Sequence, residues 1–174
     1  MALTVQAAQS LQEKLRLSLR GKYGKPSDAK ALLMDISGSM GGDPIVRLRE
    51  MASEFTEFRR FVFSDGCQEL KDKAIPEPHG TTAMHTAFTH VKLHGIDHVV
   101  LITDGRPDDE NRALLCAQGL KLDILYVGPD PAPGFLERLA KATGGSYGKA
   151  DLARVKELSA AVRERLAIAG AVAL

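Results

Sequence analysis

In Leu32-Leu33-Met34-Asp35-Ile36-Ser37-Gly38-Ser39-Met40, three apolar residues run straight into an aspartate and two hydroxyls follow at alternate positions. An apolar run ending in Asp, Ser and Ser reads as a central strand that opens into a loop. Residues two apart in such a loop can point the same way, so Asp35, Ser37 and Ser39 can face one point in space. Gly38 and the pair Gly41-Gly42 let the backbone turn close to that point. Three oxygen ligands on one short loop suit a hard cation such as Mg²⁺.

Two later stretches can complete such a site. Gly80-Thr81-Thr82-Ala83-Met84 is a turn opening an apolar-periodic segment. Val99-Val100-Leu101-Ile102-Thr103-Asp104-Gly105 is a second apolar run ending in Asp-Gly. Together the three stretches resemble the metal-ion-dependent adhesion site of von Willebrand factor type A domains, in the bacterial or phage-like stand-alone form. The family pattern is Asp-x-Ser-x-Ser, then a Thr in a Gly-rich turn, then an Asp at a strand end. Asp35, Ser37, Ser39, Thr82 and Asp104 stand in those places, with Thr81 an alternative to Thr82. The resemblance covers residues 29–147 and implies a Mg²⁺ or Mn²⁺ ion with one open position. A Glu or Asp carboxylate from a partner protein would fill it. It also implies direct contacts from Ser37, Ser39 and Thr82, with Asp35 and Asp104 contacting the ion directly or through water. Arg106, Gly38, Met40 and Thr81 are expected on the rim that meets the partner. Asp35 itself is expected at a strand end rather than in the core.

The rest of the chain fits one α/β domain. Strand patterns alternate with helical ones along residues 29–166, which predicts a mostly parallel sheet. The family resemblance implies a doubly wound, Rossmann-like sheet with helices on both faces and one antiparallel edge strand. Ligands in such folds bind at the carboxyl ends of the strands, where Asp35 and Asp104 fall. Strands are expected near residues 29–35, 60–64, 68–69, 99–104, 122–128 and 146–148. Asp65-Gly66 signals the hairpin between the second and third. Pro44 suits the first turn of a helix whose apolar face is Ile45, Leu48, Met51, Ala52, Phe55 and Phe58. Further helices are expected from Met84, over 108–120, over 135–142, and along Leu152, Val155, Leu158, Val162 and Leu166. Residues 1–28 are expected to form an amphipathic helix, striped by Val5, Ala8, Leu11, Leu15 and Leu19, and a linker. Both are expected to pack on the type A domain of residues 29–174.

Composition narrows the function classes. The chain has 174 residues and a formal net charge of +1, so nothing argues for a nucleic-acid partner. The basic residues from Lys14 to Lys25 read as a solvated face. Two cysteines are too few for a disulfide framework, and free thiols suit a reducing compartment. Cys116 reads as a buried thiol. No secretory leader pattern and no membrane-spanning run is evident, so a cytoplasmic protein with no membrane partner is expected.

Other chemistries fit less well. His90 and His94 lie four apart on an expected helix, but no HExxH or cysteine cluster accompanies them, so packing histidines are expected rather than zinc ligands. No glycine-rich segment is followed by Lys-Ser or Lys-Thr, which excludes a nucleotide-binding P-loop. The rival reading is a haloacid-dehalogenase-like, Mg²⁺-dependent phosphatase with Asp35 as nucleophile. Its acid/base aspartate two residues on is replaced by Ser37, which cannot act as a general acid at neutral pH. A binding module and not an enzyme is therefore expected. A third reading, by resemblance alone, is a metal-stabilised scaffold subunit beside a MoxR-type ATPase.

Overall fold

A computed structural model describes residues 29–167. The expected N-terminal helix and linker, and most of the apolar tail, lie outside the described residues. Six strands form one sheet: β1 (Lys30–Asp35), β2 (Arg59–Phe63), β3 (Cys67–Leu70), β4 (His98–Thr103), β5 (Lys121–Tyr126) and β6 (Tyr147–Lys149). Among the described residues five α-helices accompany them: α1 (Asp43–Ala52), α2 (Met84–Leu93), α3 (Glu110–Cys116), α4 (Gly134–Ala142) and α5 (Val155–Leu166).

The sheet order is β3-β2-β1-β4-β5-β6. All neighbouring pairs run parallel except β2 with β3, the hairpin turned at Asp65-Gly66. The chain leaves β1 toward β2 on one side and returns on the other side as β4. That reversal opens a crevice beyond the carboxyl ends of β1 and β4, the place where open α/β sheets bind ligands.

Strand alternation builds two cores. Leu33, Phe61, Leu101 and Ile124 face one way and pack with Met84, Phe88 and Val91 of α2, Ala113 of α3, and Leu136 and Leu139 of α4. Leu32, Met34, Val62, Val100 and Ile102 face the other way and pack with Ile45, Leu48 and Met51 of α1 and Leu158 and Val162 of α5. β1 is buried from Ala31 onward because both of its faces are covered, which is why it reads as an apolar run rather than an alternation.

Some boundaries differ from expectation. The apolar stripe through Phe55 and Phe58 is not one helix: α1 ends at Ala52 and a 3-10 turn, Ser53–Phe55, carries the chain on. α3 is shorter than the expected 108–120. Asp109 is extended (φ −140°, ψ 103°) and caps the helix by accepting the Arg112 N–H, while the carboxylate of Asp108 is used elsewhere. Cys116 is only partly buried, as is Cys67, whose thiol is pushed up to about 12 by burial. The His90 and His94 rings lie 4.4 Å apart and edge onto Phe61, so they pack. No helix among the described residues is long and apolar enough to cross a membrane.

Candidate metal centre

Three loops meet beyond the ends of β1 and β4. The first leaves β1 at Asp35 and closes a 3-10 turn, Gly38–Met40, by a hydrogen bond from Met40 N–H to Ser37 C=O. Of its glycines only Gly42 has a positive φ, 82°, where the loop hands over to α1. The second loop carries Thr81 and Thr82, and the third follows β4 through Asp104 to Asp108. Gly38 N–H donates to Gly80 C=O, and His79 N–H to Ile36 C=O, so the first two loops are stitched through main chain. Asp108 N–H donates to Thr82 C=O, and Thr82 N–H donates to Asp108 Oδ1, so the second and third are stitched as well.

The first and third loops join through side chains. Ser39 Oγ donates to Asp104 Oδ1 at 2.9 Å. Its oxygen also lies 3.1 Å from Ser37 Oγ, within hydrogen-bond distance. Ser37, Ser39 and Asp104 form one relay of oxygens. Asp35 lies beneath it, fully buried. Its Oδ1 accepts the Ser37 N–H at 2.8 Å and its Oδ2 accepts the Thr103 hydroxyl at 2.7 Å. The expectation that Asp35 sits outside the core is therefore corrected: β1 is central, and its last residue is covered by the loops.

Burial pushes the Asp35 carboxyl above its ordinary value. Hydrogen bonds from Ser37 and Thr103 pull the other way, and the neighbouring Asp104 charge adds to the rise. No cation among the described residues offsets this carboxylate. A buried charge held only by neutral donors is costly, and a divalent cation close to it would relieve that cost. The donor set is two carboxylates and several hydroxyls, with no third carboxylate. Accordingly, no cluster of three His, Cys, Asp or Glu side chains able to hold a metal occurs among the described residues. Oxygen donors of this kind suit Mg²⁺ or Mn²⁺.

The two threonines have different duties. Thr81 is exposed, and its Oγ1 lies 2.8 Å from Asp65 Oδ1 and 2.6 Å from Asp108 Oδ2. The Thr81 main-chain N–H also donates to Asp65, and these bonds hold the Asp65 carboxyl below its usual range. Thr82 is nearly buried, and its hydroxyl has no hydrogen-bond partner among the described residues. Gly80 has φ +71°, and an added Cβ there would meet the Asp65 carboxylate at 2.5 Å, so this turn needs glycine.

On the rim, Gly38 and Arg106 are exposed. Arg106 makes no ion pair or hydrogen bond among the described residues, because the acids that follow it are engaged elsewhere. Asp108 braces Thr81 and Thr82, Asp109 caps α3, and Glu110 lies 4.0 Å from Arg138. Met40 is a correction. It was expected on the rim, but it is fully buried and packs in the core beneath α1. The 3-10 turn rotates it away from Ser39 and drives its apolar side chain inward. Sequence reading missed three supporting groups: Thr103, Asp65 and the carboxylate of Asp108. Only Thr103 carried a signal, as a hydroxyl in the last place of a buried strand.

No protein-family profile and no curated protein matches this chain. Solved structures do. A von Willebrand factor type A protein from Catenulispora acidiphila superposes with TM-score 0.64 at 19% identity, over 81% of this chain and 43% of its own. The manganese-loaded TRAP protein of Plasmodium vivax gives 0.59 at 21% identity, over 83% and 75%. Proximal thread matrix protein 1 of the mussel byssus gives 0.57 at 17%, over 76% and 44%. This chain thus spans less than half the length of the first and third of these. The sheet order, the two helical layers and these superpositions together identify the described residues as a von Willebrand factor type A fold.

Proposed function

We propose that this domain is a divalent-metal-dependent protein-binding module. Ser37, Ser39 and Thr82 would hold Mg²⁺ or Mn²⁺ directly, with Asp35 and Asp104 contacting it directly or through water. Two carboxylates nearly neutralise a divalent ion and leave it electrophilic at the position facing solvent. A Glu or Asp carboxylate of a partner protein is the ligand that suits that position. The carrying observation is the Ser37–Ser39–Asp104 relay over a buried Asp35 that has no countercharge. The free hydroxyl of Thr82 favours it over Thr81, whose hydroxyl is already held between Asp65 and Asp108. A protein of the same fold is described as manganese-loaded, which supports the choice of ion.

The phosphatase reading needs Asp35 to attack a phosphoester. Full burial and a hydrogen bond on each of its oxygens speak against that role. The scaffold reading, in which the ion only fixes the loops, predicts stabilisation by metal without carboxylate binding. The test is thermal melting and calorimetric titration with Mg²⁺ and Mn²⁺ for the wild type and Asp35→Asn. The wild type is expected to gain melting temperature with metal, and the variant to show no gain and no binding heat. Equal behaviour of the two proteins overturns the site. Turnover of a generic phosphoester that Asp35→Asn abolishes would restore the enzyme.

A further inference from the structure

Arg60 occupies an inward place in β2. Val62, two residues on, belongs to the core beneath α1, and strand alternation puts Arg60 on that same face. A central strand facing a helix calls for an apolar residue there. Arg60 is instead 8% exposed. Its guanidinium makes two hydrogen bonds, both to main-chain carbonyls: Nη1 to Ala52 at 3.2 Å and Nη2 to Lys71 at 3.4 Å. Its Nε is buried without a partner, and no carboxylate pairs with it among the described residues. The carbonyl at the end of α1 offers only a partial negative charge. A buried guanidinium with that little compensation calls for an anion.

The guanidinium borders a cavity of about 460 Å³ between the end of α1 and the segment after β3. Arg49, on the wall, is already held by Ile75 C=O and Glu77. The lining groups without an ion pair among the described residues are Arg60, Lys71 and Lys73, against Asp72. That leaves a surplus of two positive charges. Ser53 and Thr56 add hydroxyls to the same wall. A carboxylate would bring one negative charge, whereas a phosphate monoester brings about −1.5 to −2 at pH 7 and three acceptor oxygens. Each Nη of Arg60 keeps a second N–H beyond its carbonyl bond, and these donors flanked by two lysines match that group in charge.

We propose that this cavity binds a phosphoryl group. The site is separate from the metal centre. Arg60 pairs with Leu32 along the sheet and Phe63 with Asp35, so the cavity lies toward the opposite ends of the strands. It also stands or falls independently of metal binding.

The experiment is an amide chemical-shift titration of the full chain with no divalent cation added. The probes are inorganic phosphate, N-acetyl-phosphoserine amide, and acetate at matched ionic strength. Phosphate is expected to shift the amides of Ser53, Thr56 and residues 71–75 saturably, and acetate to leave them in place. Tighter binding of the phosphoserine probe assigns the site to a phosphorylated side chain, and tighter binding of inorganic phosphate assigns it to the free anion. Arg60→Lys keeps the charge but loses those Nη donors and should weaken binding. Because Arg60 is buried, the double variant Lys71→Ala/Lys73→Ala, at two exposed positions, carries the decision, with an expected loss of about tenfold. Equal shifts with acetate, shifts confined to other regions, or undiminished phosphate affinity in the double variant would overturn the proposal.

Discussion

Ser39 Oγ donates to Asp104 Oδ1 at 2.9 Å, across 65 residues of chain. This bond closes the gap between the loop after β1 and the end of β4. A metal ion at the proposed centre competes for the same serine oxygen. Ser39→Ala should therefore lower Mg²⁺ affinity by about tenfold, the scale of losing one good ligand interaction. Ser39 is exposed, so the metal-free fold should change by no more than about 0.5 kcal/mol. Calorimetric titration and urea unfolding of the variant check both halves. Unchanged Mg²⁺ affinity would remove Ser39 from the ligand set.

Asp108 ties the Thr82 loop to the Asp104 loop with both its main chain and its side chain. Asp108→Ala leaves the Thr82 N–H without its acceptor and frees the turn. Loss of a group that orients a ligand typically costs about 10–100-fold in metal affinity. Asp108→Asn keeps an oxygen for the Thr82 N–H and should recover much of the loss. Identical Mg²⁺ titrations for Asp108→Ala and the wild type would show that the loop is held by other contacts.

Arg106 is exposed and free of the acids that follow it, so its guanidinium is available to a carboxylate docked on the metal. Acetate can serve as the carboxylate probe, read by relaxation enhancement of ¹³C-acetate on Mn²⁺-loaded protein. Arg106→Ala should weaken acetate binding a few-fold and leave Mn²⁺ affinity as it is. The difference should shrink at high salt, since exposed charges are screened over about 8–10 Å near physiological ionic strength. If acetate binds the two proteins equally at low salt, Arg106 is ordinary surface.

Asp123 lies far from the proposed centre and reports on the fold. Burial alone would raise its carboxyl, but hydrogen bonds from His98 and Ser146 outweigh this and hold it well below the usual carboxylate range. A group depressed in the folded state stabilises the fold fully above its unfolded value of about 3.9 and loses that contribution as pH falls below it. Urea unfolding measured between about pH 5 and pH 2 should show a steeper acid loss for the wild type than for Asp123→Asn. Parallel pH dependences would mean that Asp123 contributes nothing to acid sensitivity.

Much of the architecture was legible in the sequence because periodicity is a local signal. The apolar runs before Asp35 and Asp104 read as central strands, and both are. The stripes of Ile45, Leu48 and Met51 and of Met84, Ala87, Phe88 and Val91 read as buried helix faces, and both are. Where a short turn interrupts a stripe, the same signal misleads. Phe55 ends a 3-10 turn rather than continuing the helix, and Met40 looks like a loop residue but faces inward.

By itself, then, the sequence determined which segments are strands, which faces are apolar, and which oxygen-bearing residues end the two central strands. These follow from residue spacing and need no knowledge of neighbours. Tertiary structure alone decided that β1 and β4 lie side by side, so that Thr103 reaches Asp35 and Ser39 reaches Asp104. It also decided that Asp108 takes Thr81 and Thr82 rather than Arg106, and that Arg60 is buried without a carboxylate. A hydrogen bond or a countercharge depends on distances of a few ångströms between residues remote in sequence, and only the folded chain sets those distances.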